Sequence, residues 1–319
     1  MDRKDEAQEK LTMKKPYHDY NSYLRARYGA KVYKIGLDAG FSCPNRDGTL
    51  GRDGCIYCND LGSRSSYTDP VKSVQEQLSS RIGYLKEKFG AEKFIAYFQA
   101  FTNTYAPVKK LKEVYDAVLP FKDIVEISIG TRPDCVDEEK IGLISSYRAR
   151  YEVWIEYGMQ SIQNESLKFL ERGHTFEDFT SAVDLTKKYG VKICAHLILG
   201  LPGENEKDAA NTAKILNDLK INGVKVHLFH ILKGSRMENI YKEGGIKLPD
   251  QAEYTGMVCA FLENLSPDII IQRLTGEGDR ENHVAPSWAL DKTKTIRMIE
   301  DEFVKRGTHQ GIMTLKAIF

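Results

Sequence analysis

Three of the six cysteines lie in one short stretch that is also rich in glycine and aspartate. They are Cys43, Cys55 and Cys58, spaced C-x11-C-x2-C within GFSCPNRDGTLGRDGCIYCND, residues 40–60. A C-x2-C pair acts as a two-pronged ligand in zinc and iron–sulfur sites. A structural zinc ion needs four ligands, whereas three thiolates on a four-iron cluster leave one iron open to a small molecule. The pattern therefore indicates either an open cluster or a zinc site completed by a histidine such as His18.

The other three cysteines, Cys135, Cys194 and Cys259, are scattered through segments predicted as helix or strand. No second C-x2-C pair and no nearby H-x3-H pair accompanies the cysteine loop. We therefore expect each of these three to be a small buried hydrophobic residue.

The composition is that of an ordinary globular protein: 41% of the 319 residues are hydrophobic, 29% are charged and the formal net charge is +1. No global field therefore demands a nucleic-acid partner. The charged start lacks an apolar h-region and no run of 18 apolar residues occurs, so neither a signal peptide nor a membrane span is predicted. We expect a cytoplasmic protein, in which thiols stay reduced and clustered cysteines more often serve metal binding or catalysis than disulfides.

The segment from Lys10 to Lys34 is locally basic. It holds seven lysines and arginines against one acidic residue, Asp19, and among them lie four tyrosines: Tyr17, Tyr20, Tyr23 and Tyr28. Basic side chains mixed with aromatic rings suit phosphate contact and base stacking, so residues such as Arg25 and Arg27 are candidates for a grip on RNA. The alternative is a solvated arm whose tyrosines pack on the domain.

Short apolar runs alternate with amphipathic stretches along most of the chain. The predicted strands, each rich in Val, Ile, Phe or Tyr, are 31–38, 93–99, 123–130, 151–158, 191–200, 223–232 and 268–274. The predicted helices are 70–89, 107–119, 136–148, 164–190, 204–220, 250–265 and 291–306. Thr175 is a predicted N-cap, with Asp178 three residues later and Gly190 as the stop. Residues 233–249 are predicted as a long excursion from the sheet.

Strand and helix in alternation predict a parallel sheet, which is either a closed or partial barrel or an open doubly wound sheet. In a barrel, polar residues at the carboxyl ends of the strands face one common mouth. The cysteine loop directly follows the first strand, and the polar residues at these ends are Asp38, Gln99, Arg132, Glu156, Gln160, His196, His230 and Thr275. The histidines on predicted strands, His196, His227 and His230, are each expected to be satisfied core residues.

Several motifs resemble those of radical S-adenosylmethionine (SAM) enzymes, which place a three-cysteine loop after the first strand of a β/α barrel. Their usual spacing is C-x3-C-x2-C, and the longer first gap here is similar to that of the branch containing the Elongator catalytic subunit. The segments that resemble this branch are ISIGTRPDCV (127–136), IEYGMQSIQNESLKFLERGHT (155–175), AHLILGLPGE (195–204) and IIIQRL (269–274). The cysteine loop, together with YNSYLRARYGAKVYKI and HILKGS, resembles more narrowly the YhcC/YtqA (MnmL-type) family.

The resemblance implies a partial (β/α)6 TIM-type barrel over residues 31–275, with an N-terminal extension over 1–30 and a C-terminal helical extension over 276–319. It implies a [4Fe-4S] cluster on Cys43, Cys55 and Cys58, with SAM on the open iron. A reductant such as flavodoxin or ferredoxin would supply one electron, and SAM would be cleaved to methionine and a 5′-deoxyadenosyl radical that takes hydrogen from the substrate.

The resemblance also implies contacts to SAM. Glu156 and Gln160 would contact the ribose hydroxyls, unless Glu156 forms an ion pair instead, for example with Arg132. Leu201 and Gly203 lie in LILGLPGE, which would approach the adenine unless it is only a strand-to-helix turn. Many radical SAM enzymes hold the methionine amino group with a Gly-Gly-Glu-like turn after the second strand. This chain has FQAFTNTY (98–105) there, with three possible acceptors: Gln99, Thr102 and Asn103.

The YhcC/YtqA resemblance suggests the tRNA wobble uridine as the substrate, with conversion of its 5-carboxymethylaminomethyl group to 5-aminomethyl. Arg132 would pair with the carboxylate of SAM or of the substrate, unless it forms a structural salt bridge. Lys225 and His227 share one strand face and would contact the substrate if that face is inward. Gln272 and Arg273 point to opposite faces, so that at most one lines the lumen. The alternatives are a radical SAM enzyme for a small molecule or a protein, and a zinc-bound nucleic-acid adaptor without catalysis.

Overall fold

Seven parallel strands form one sheet in the computed structural model, which describes residues 15–59, 62, 67–69, 71–276 and 280–315. In spatial order the strands are β1 (Val32–Leu37), β2 (Lys93–Phe98), β3 (Ile124–Thr131), β4 (Glu152–Gln160), β5 (Lys192–Leu199), β6 (Gly223–Leu228) and β8 (Ile270–Arg273). A small antiparallel pair is formed by β7 (Ile231–Leu232) and β9 (His283–Ala285).

Helices follow the strands, as a parallel sheet requires. The helices of the described residues are α1 (Tyr20–Tyr28), α2 (Val74–Phe89), α3 (Val108–Asp116), α4 (Glu138–Ser146), α5 (Asn164–Phe169), α6 (Phe176–Lys188), α7 (Glu206–Asp218), α8 (Arg236–Lys242), α9 (Gln251–Asn264), α10 (Lys292–Arg306) and α11 (Ile312–Leu315). The main core lies between these helices and the outward faces of the strands, with Ile35, Phe94 and Ile155 among its buried members. In the described part of the chain, no helix is long and apolar enough to cross a membrane.

The sheet is curled into a half-barrel. Lys34 Nζ on β1 donates to Gln272 Oε1 on β8 over 3.4 Å, although these strands are the first and the last in the sheet order. Side chains of opposite sheet edges meet only if the sheet curves around a lumen. The partial TIM-type barrel is therefore confirmed, and the open doubly wound alternative is wrong.

The N-terminal segment closes the lumen at the amino ends of the strands. Ile271 N in β8 donates to His18 O over 2.8 Å, and Tyr20 donates through its hydroxyl to Glu126 on β3. Tyr23 donates to Glu152, the first residue of β4, over 2.7 Å. Helix α1 is a real helix that the sequence did not predict, because its tyrosines and arginines follow no apolar period.

All four tyrosines of this segment bond within the protein. Tyr17 and Tyr20 are buried, Tyr17 donates to Glu300 over 3.1 Å, and Tyr28 donates to Val125 O over 3.4 Å. For Tyr17 and Tyr20 the base-stacking prediction is therefore wrong and the packing alternative holds, whereas Tyr23 and Tyr28 are half-buried. A ring is available to a base only when its faces are exposed.

Two predicted elements are broken in the structure. Residues 164–190 form α5 and α6, because Glu171 and Gly173 take left-handed backbone (φ 51° and 71°) before Thr175 caps α6 through a capping box with Asp178. Residues 223–232 form β6 and β7, separated at 229–230. Residues 233–249 lie outside the seven-stranded sheet and contain α8, which confirms the predicted excursion.

Candidate active site

The cysteine loop leaves the carboxyl end of β1 and folds back on itself. Gly54 N donates to Asn45 O over 2.8 Å, and Gly48 N donates to Gly51 O over 3.0 Å. The first of these bonds joins a residue just after Cys43 to the residue just before Cys55. The long first gap is therefore a closed excursion that does not separate the cysteines in space.

Three side chains donate hydrogen bonds to the sulfur atoms. Asn45 Nδ2 lies 3.3 Å and Arg172 Nη1 lies 3.5 Å from Cys55 Sγ, and Arg46 Nη2 lies 3.5 Å from Cys58 Sγ. Burial alone would raise the pKa of Cys55, but Arg172 and Asn45 outweigh it and lower that pKa. Burial raises the pKa of Cys58 despite Arg46. Metals bind the thiolate form of cysteine, so the lowered pKa makes Cys55 a better metal ligand.

This donor set fits an iron–sulfur cluster better than zinc. No three His, Cys, Asp or Glu side chains among the described residues are arranged to hold a single metal ion. Zinc ligands must all converge on one atom, whereas cluster thiolates bind separate irons and accept hydrogen bonds at sulfur. The proposed fourth zinc ligand, His18, lies at the amino ends of the strands, with Nδ1 3.3 Å from Pro267 O. The zinc site completed by His18 is therefore wrong.

The segment Arg172–Gly173–His174 fastens the cysteine loop to β4. Asn45 Nδ2 donates to Arg172 O over 3.0 Å, while Arg172 Nη2 donates to Gly158 O on β4 over 3.0 Å. A Cβ on Gly173 would lie 2.8 Å from Asn45 Oδ1, and its φ is 71°. A side chain at position 173 would therefore displace Asn45, and only glycine fits there as the loop stands. The sequence contained this motif, but nothing in it indicated that Arg172 would reach a cysteine 117 positions away.

Gln160 stands at the carboxyl end of β4 in a strained backbone conformation. Its φ is 68°, and the register with β5 shifts between Tyr157 and Gln160. A Cβ on Gly158 would come within 2.7 Å of Gln160 Nε2 and 2.9 Å of Arg172 Nη2. Left-handed backbone at a non-glycine residue costs roughly 1–3 kcal/mol and clusters at functional sites, so this geometry agrees with a cofactor role for Gln160.

The loop after β2 packs against the cysteine loop. Thr102 N donates to Ser42 O over 3.2 Å, and Phe101 N donates to Gly62 O over 3.2 Å. Asn103 Nδ2 donates to Gly130 O over 2.9 Å, while its Oδ1 is buried with no hydrogen-bond partner. Of the three predicted acceptors, Asn103 therefore offers an unused oxygen; Thr102 is buried, and Gln99 follows the last residue of β2.

The loop after β5 supports the cysteine loop from another side. Leu201 is buried in a second apolar cluster with Ile56, Phe229 and Met237. Gly203 has φ 87°, and a Cβ there would meet nothing within 4 Å. The Leu201 side chain thus packs under the C-x2-C turn, and the Gly203 backbone faces open space in which a ligand could lie.

Arg132 adjoins the cysteines but already has a carboxylate partner. Its Nε and Nη2 donate to the two oxygens of Asp134 over 2.9 and 2.8 Å, and its side chain is 2% exposed. Nη1 is buried without a partner. The salt-bridge alternative is therefore present, although Asp134 rather than Glu156 is the partner, and one N–H group is left for a ligand.

Glu156 lies inside the lumen, in the middle of β4. It accepts from Lys225 on β6, its Oε2 lies 2.7 Å from His196 Nε2, and its Oε1 lies 3.5 Å from Lys34 Nζ. Burial alone would raise its pKa, but Lys225 and Lys34 hold the pKa well below the usual range. Burial lowers the pKa of Lys225 to about 7 and that of His196 to about 4. The predicted ion-pair alternative is present, and Lys225 is its main partner.

His227 shares the lumen face with Lys225, as predicted. Its ring lies 5.4 Å from that of His196, and its Nε2 is buried with no hydrogen-bond partner. The prediction that His227 is a satisfied core residue is therefore wrong. Burial, followed by the charge of Arg273, lowers the pKa of His227 well below its usual range, so the ring is neutral.

Both Gln272 and Arg273 reach the lumen, contrary to the sequence prediction. The register of β6 with β8 pairs Val224 with Ile271 and Lys225 with Arg273, which leaves Gln272 as an extra residue. A bulge of this kind breaks the two-residue alternation and re-aims the following side chain. Gln272 accepts from Lys34, and the charge of Arg273 acts on His227 and Lys225.

The predicted buried cysteines are confirmed, because Cys135, Cys194 and Cys259 are all buried. The structure thus brings the thiols of the cysteine loop, the turn after β2 and the end of β4 to one mouth above a charged lumen. Functional candidates that the sequence did not single out are Arg172, Asn45, Arg46 and Lys34.

Family models and curated relatives match most of the chain. A model described as the Radical SAM superfamily matches residues 43–216, and the Radical_SAM C-terminal domain matches residues 221–305. The chain is 38% identical to the uncharacterized protein YtqA of Bacillus subtilis over 93% of this chain and 92% of that one. It is 35% identical to protein YhcC of Escherichia coli over 94% and 96% of the two chains. A shorter match, 32% identical over 45% of this chain and 26% of the relative, is to tRNA uridine(34) acetyltransferase of Methanocaldococcus jannaschii.

Solved structures share the fold. Elp3 of the archaeon Methanocaldococcus infernus has a TM-score of 0.64 at 20% identity over 88% of this chain and 64% of that chain. Streptococcus suis SuiB bound to S-adenosylmethionine has a TM-score of 0.51 at 12% identity over 79% and 53% of the two chains. Members of the matching family bind a [4Fe-4S] cluster and SAM, which confirms the predicted cofactors. The chain belongs to the radical SAM superfamily of enzymes.

Proposed function

We propose that this enzyme uses Cys43, Cys55 and Cys58 to hold its cluster and acts on the tRNA wobble uridine. The substrate change would be conversion of a 5-carboxymethylaminomethyl group to 5-aminomethyl, as in an MnmL-type enzyme. The observation that supports the cluster assignment is the set of N–H donors aimed at Cys55 and Cys58 beside the lumen mouth. The partial similarity to tRNA uridine(34) acetyltransferase supports the choice of tRNA.

Each bound group has candidate residues in this chain. Cluster and SAM together supply a 5′-deoxyadenosyl radical that abstracts hydrogen from the substrate. Gln160 would hold the ribose, whereas Glu156 stays paired with Lys225 and His196 inside the lumen. Asn103 Oδ1 would accept from the amino group of SAM together with Gln99 or Thr102, and the turn at Leu201 and Gly203 would approach the adenine. Arg132 Nη1, which has no partner, would donate to the carboxylate of SAM.

The proposed hydrogen donor is the CH2 group next to the substrate carboxylate. Loss of a further electron and a proton from the resulting carbon radical, with the cluster as the electron acceptor, would give an imine. Its hydrolysis by water would leave the aminomethyl group on the uridine and release glyoxylate. A reductant such as flavodoxin or ferredoxin would supply the electron, and the free state of all six cysteines agrees with a reducing compartment such as the cytoplasm.

The test is turnover with bulk tRNA from cells that lack the enzyme. The reconstituted, reduced protein is incubated with SAM, and wobble nucleosides are analysed by mass spectrometry. Loss of the carboxymethyl group with formation of 5′-deoxyadenosine is expected. Formation of 5′-deoxyadenosine with no change in any tRNA nucleoside would contradict the tRNA assignment.

A radical SAM enzyme for a small molecule is the second candidate. The tyrosines that were predicted to stack on bases are bonded inside the protein at the end opposite the mouth. The buried rings of Tyr17 and Tyr20 therefore offer no base-stacking surface. Tight binding of an unmodified anticodon stem-loop would argue against this candidate.

A further inference from the structure

We propose that the lumen contains a subsite for a substrate carboxylate, formed by Arg273 and His227 above the Lys225–Glu156 pair. This inference rests on the proposed radical SAM function, because the subsite lies inside the same lumen, but it does not require the substrate to be tRNA. It assigns a residue for the carboxylate other than Arg132.

The first argument is the charge of the lumen. Around Glu156 the described cations are Lys34, Lys225 and Arg273. Lys192 lies nearer the amino ends of the strands, where it pairs with Glu152 over 3.0 Å. Even if Lys225 is neutral, two cations face one carboxylate. The next carboxyl group toward the amino ends, Glu126, is already held by Tyr20 and by Ser128 over 2.9 Å. Lys225 is buried whereas Lys34 and Arg273 are partly exposed, and this local excess of positive charge favours an anionic ligand.

The second argument is a set of polar atoms without partners. The Arg273 side chain makes no hydrogen bond or ion pair with another described residue. His227 Nε2 and Gln272 Nε2 are buried atoms without a hydrogen-bond partner. Buried polar atoms are rarely left unsatisfied, and each such atom calls for an explanation. A buried imidazole nitrogen and a buried amide nitrogen without partners, beside a partly exposed guanidinium that bonds to no described residue, point to an absent ligand.

The third argument is the bulge that directs Arg273 inward. Without the extra residue at Gln272, the two-residue period would send either Gln272 or Arg273 to the helix side of the sheet. The bulge instead leaves both near Lys34 and Lys225. Bulges are over-represented beside active sites, where they re-aim a side chain.

A carboxylate on a slender arm fits this place better than a backbone phosphate. Lys225 is 3% exposed and Glu156 is fully buried, so the floor of the subsite lies within the barrel, while Arg273 and His227 above it are partly exposed. Arg132, by contrast, already donates two hydrogen bonds to Asp134. Guanidinium groups bind carboxylates through paired hydrogen bonds, and Arg273 has its whole donor set available for one.

The experiment compares two substrates in the reconstituted holoenzyme. One is an anticodon stem-loop RNA with 5-carboxymethylaminomethyluridine, and the other is its neutral methyl ester. Wild type should turn over the acid faster, and Arg273→Gln should reduce this acid-to-ester ratio by roughly 10- to 100-fold. Arg273→Lys should restore part of the ratio. Arg297→Gln, at an exposed position on α10, should keep the wild-type ratio. An unchanged ratio in Arg273→Gln would overturn the proposal.

A second arm does not depend on RNA. Acetate should raise the melting temperature of the holoenzyme more than acetamide does at the same ionic strength, and Arg273→Gln should abolish that difference. If wild type turns over neither RNA but shows the Arg273-dependent acetate effect, the tRNA assignment fails and the subsite stands. If acetate and acetamide act alike in wild type while neither RNA reacts, the subsite is wrong.

Discussion

Cys55 is positioned by two residues that lie far apart along the chain. Asn45 comes from the cysteine loop and Arg172 from the segment between α5 and α6. Hydrogen bonds to ligand sulfurs tune a cluster and hold its ligands in place. The sequence showed the cysteines themselves because their spacing is local, whereas the Arg172 contact depends on the tertiary fold.

Arg172→Gln should weaken cluster retention. The substitution leaves Cys55 buried without its neighbouring cation, and loss of an outer partner typically costs 10–100-fold in metal affinity. We expect iron to be lost to a chelator roughly ten times faster than from wild type, measured by iron and sulfide content under anaerobic conditions. Lys168→Gln, at an exposed position of α5, is the control. Equal loss rates in the two variants would contradict the role of Arg172.

Glu126→Gln should flatten the dependence of stability on pH. Burial raises the pKa of Glu126 from 4.5 to about 7, although Lys34 and Tyr20 oppose this. The folded state therefore binds a proton more tightly than the unfolded state, and this contribution to stability is full below pH 4.5 and is lost as the pH rises to about 7. The free energy of unfolding of wild type should fall across that window by up to roughly 1.4 kcal/mol per pH unit relative to the variant.

Urea unfolding of both proteins at several pH values measures this difference. Parallel curves for wild type and Glu126→Gln would show that Glu126 does not titrate in this window.

The turn between α5 and α6 is the element that fastens the cysteine loop. The sequence predicted one helix over 164–190 and also an N-cap at Thr175, and only the second prediction was right. Local helix propensity favours one continuous helix through LERG, residues 170–173. Glu171 and Gly173 instead take left-handed backbone, which places Arg172 and Gly173 against Asn45. Long-range packing decides this boundary, which is why local pattern missed it.

Gly173→Ala should detach the cysteine loop without unfolding the barrel. The added Cβ would lie 2.8 Å from Asn45 Oδ1, in addition to the roughly 1–2 kcal/mol that left-handed backbone costs an alanine. Gly90→Ala is the matched control, because Gly90 has φ 58° and a Cβ there would meet nothing within 4 Å. We expect similar melting temperatures but a lower iron content in Gly173→Ala alone. Equal iron content would contradict the fastening role.

Across the whole molecule, the two ends of the barrel have different tasks. The carboxyl ends carry the thiols and the charged lumen, while α1 closes the amino ends. Strand periodicity and the cysteine motif predicted the barrel and its mouth, because both are properties of local sequence. The closure by α1 could not be predicted, because it depends on bonds from its tyrosines to Glu126 and Glu152. These partners are distant in the sequence, and no local pattern reveals them.

Removing positive charge from α1 should leave RNA binding unchanged. Arg27 pairs with Glu152 over 2.5 Å at the amino ends of the strands, and Arg25 is exposed on the same helix. If RNA enters at the mouth, Arg25→Gln should keep both the affinity for a tRNA anticodon stem-loop and its salt dependence. Binding is measured by fluorescence anisotropy at several salt concentrations. A weaker dependence of the affinity on salt in Arg25→Gln would show that the N-terminal segment contacts RNA, as the sequence predicted.

The most direct test of the central claim is SAM cleavage by the cysteine loop. Wild type and the single variants Cys43→Ala, Cys55→Ala and Cys58→Ala are reconstituted with iron and sulfide under anaerobic conditions, reduced and supplied with SAM. Cys259→Ala, a buried cysteine away from the loop, is the control. The account predicts 5′-deoxyadenosine from wild type and the control and none from the three loop variants. Cleavage that survives loss of any loop cysteine, or its absence in folded, iron-loaded wild type, would contradict the account.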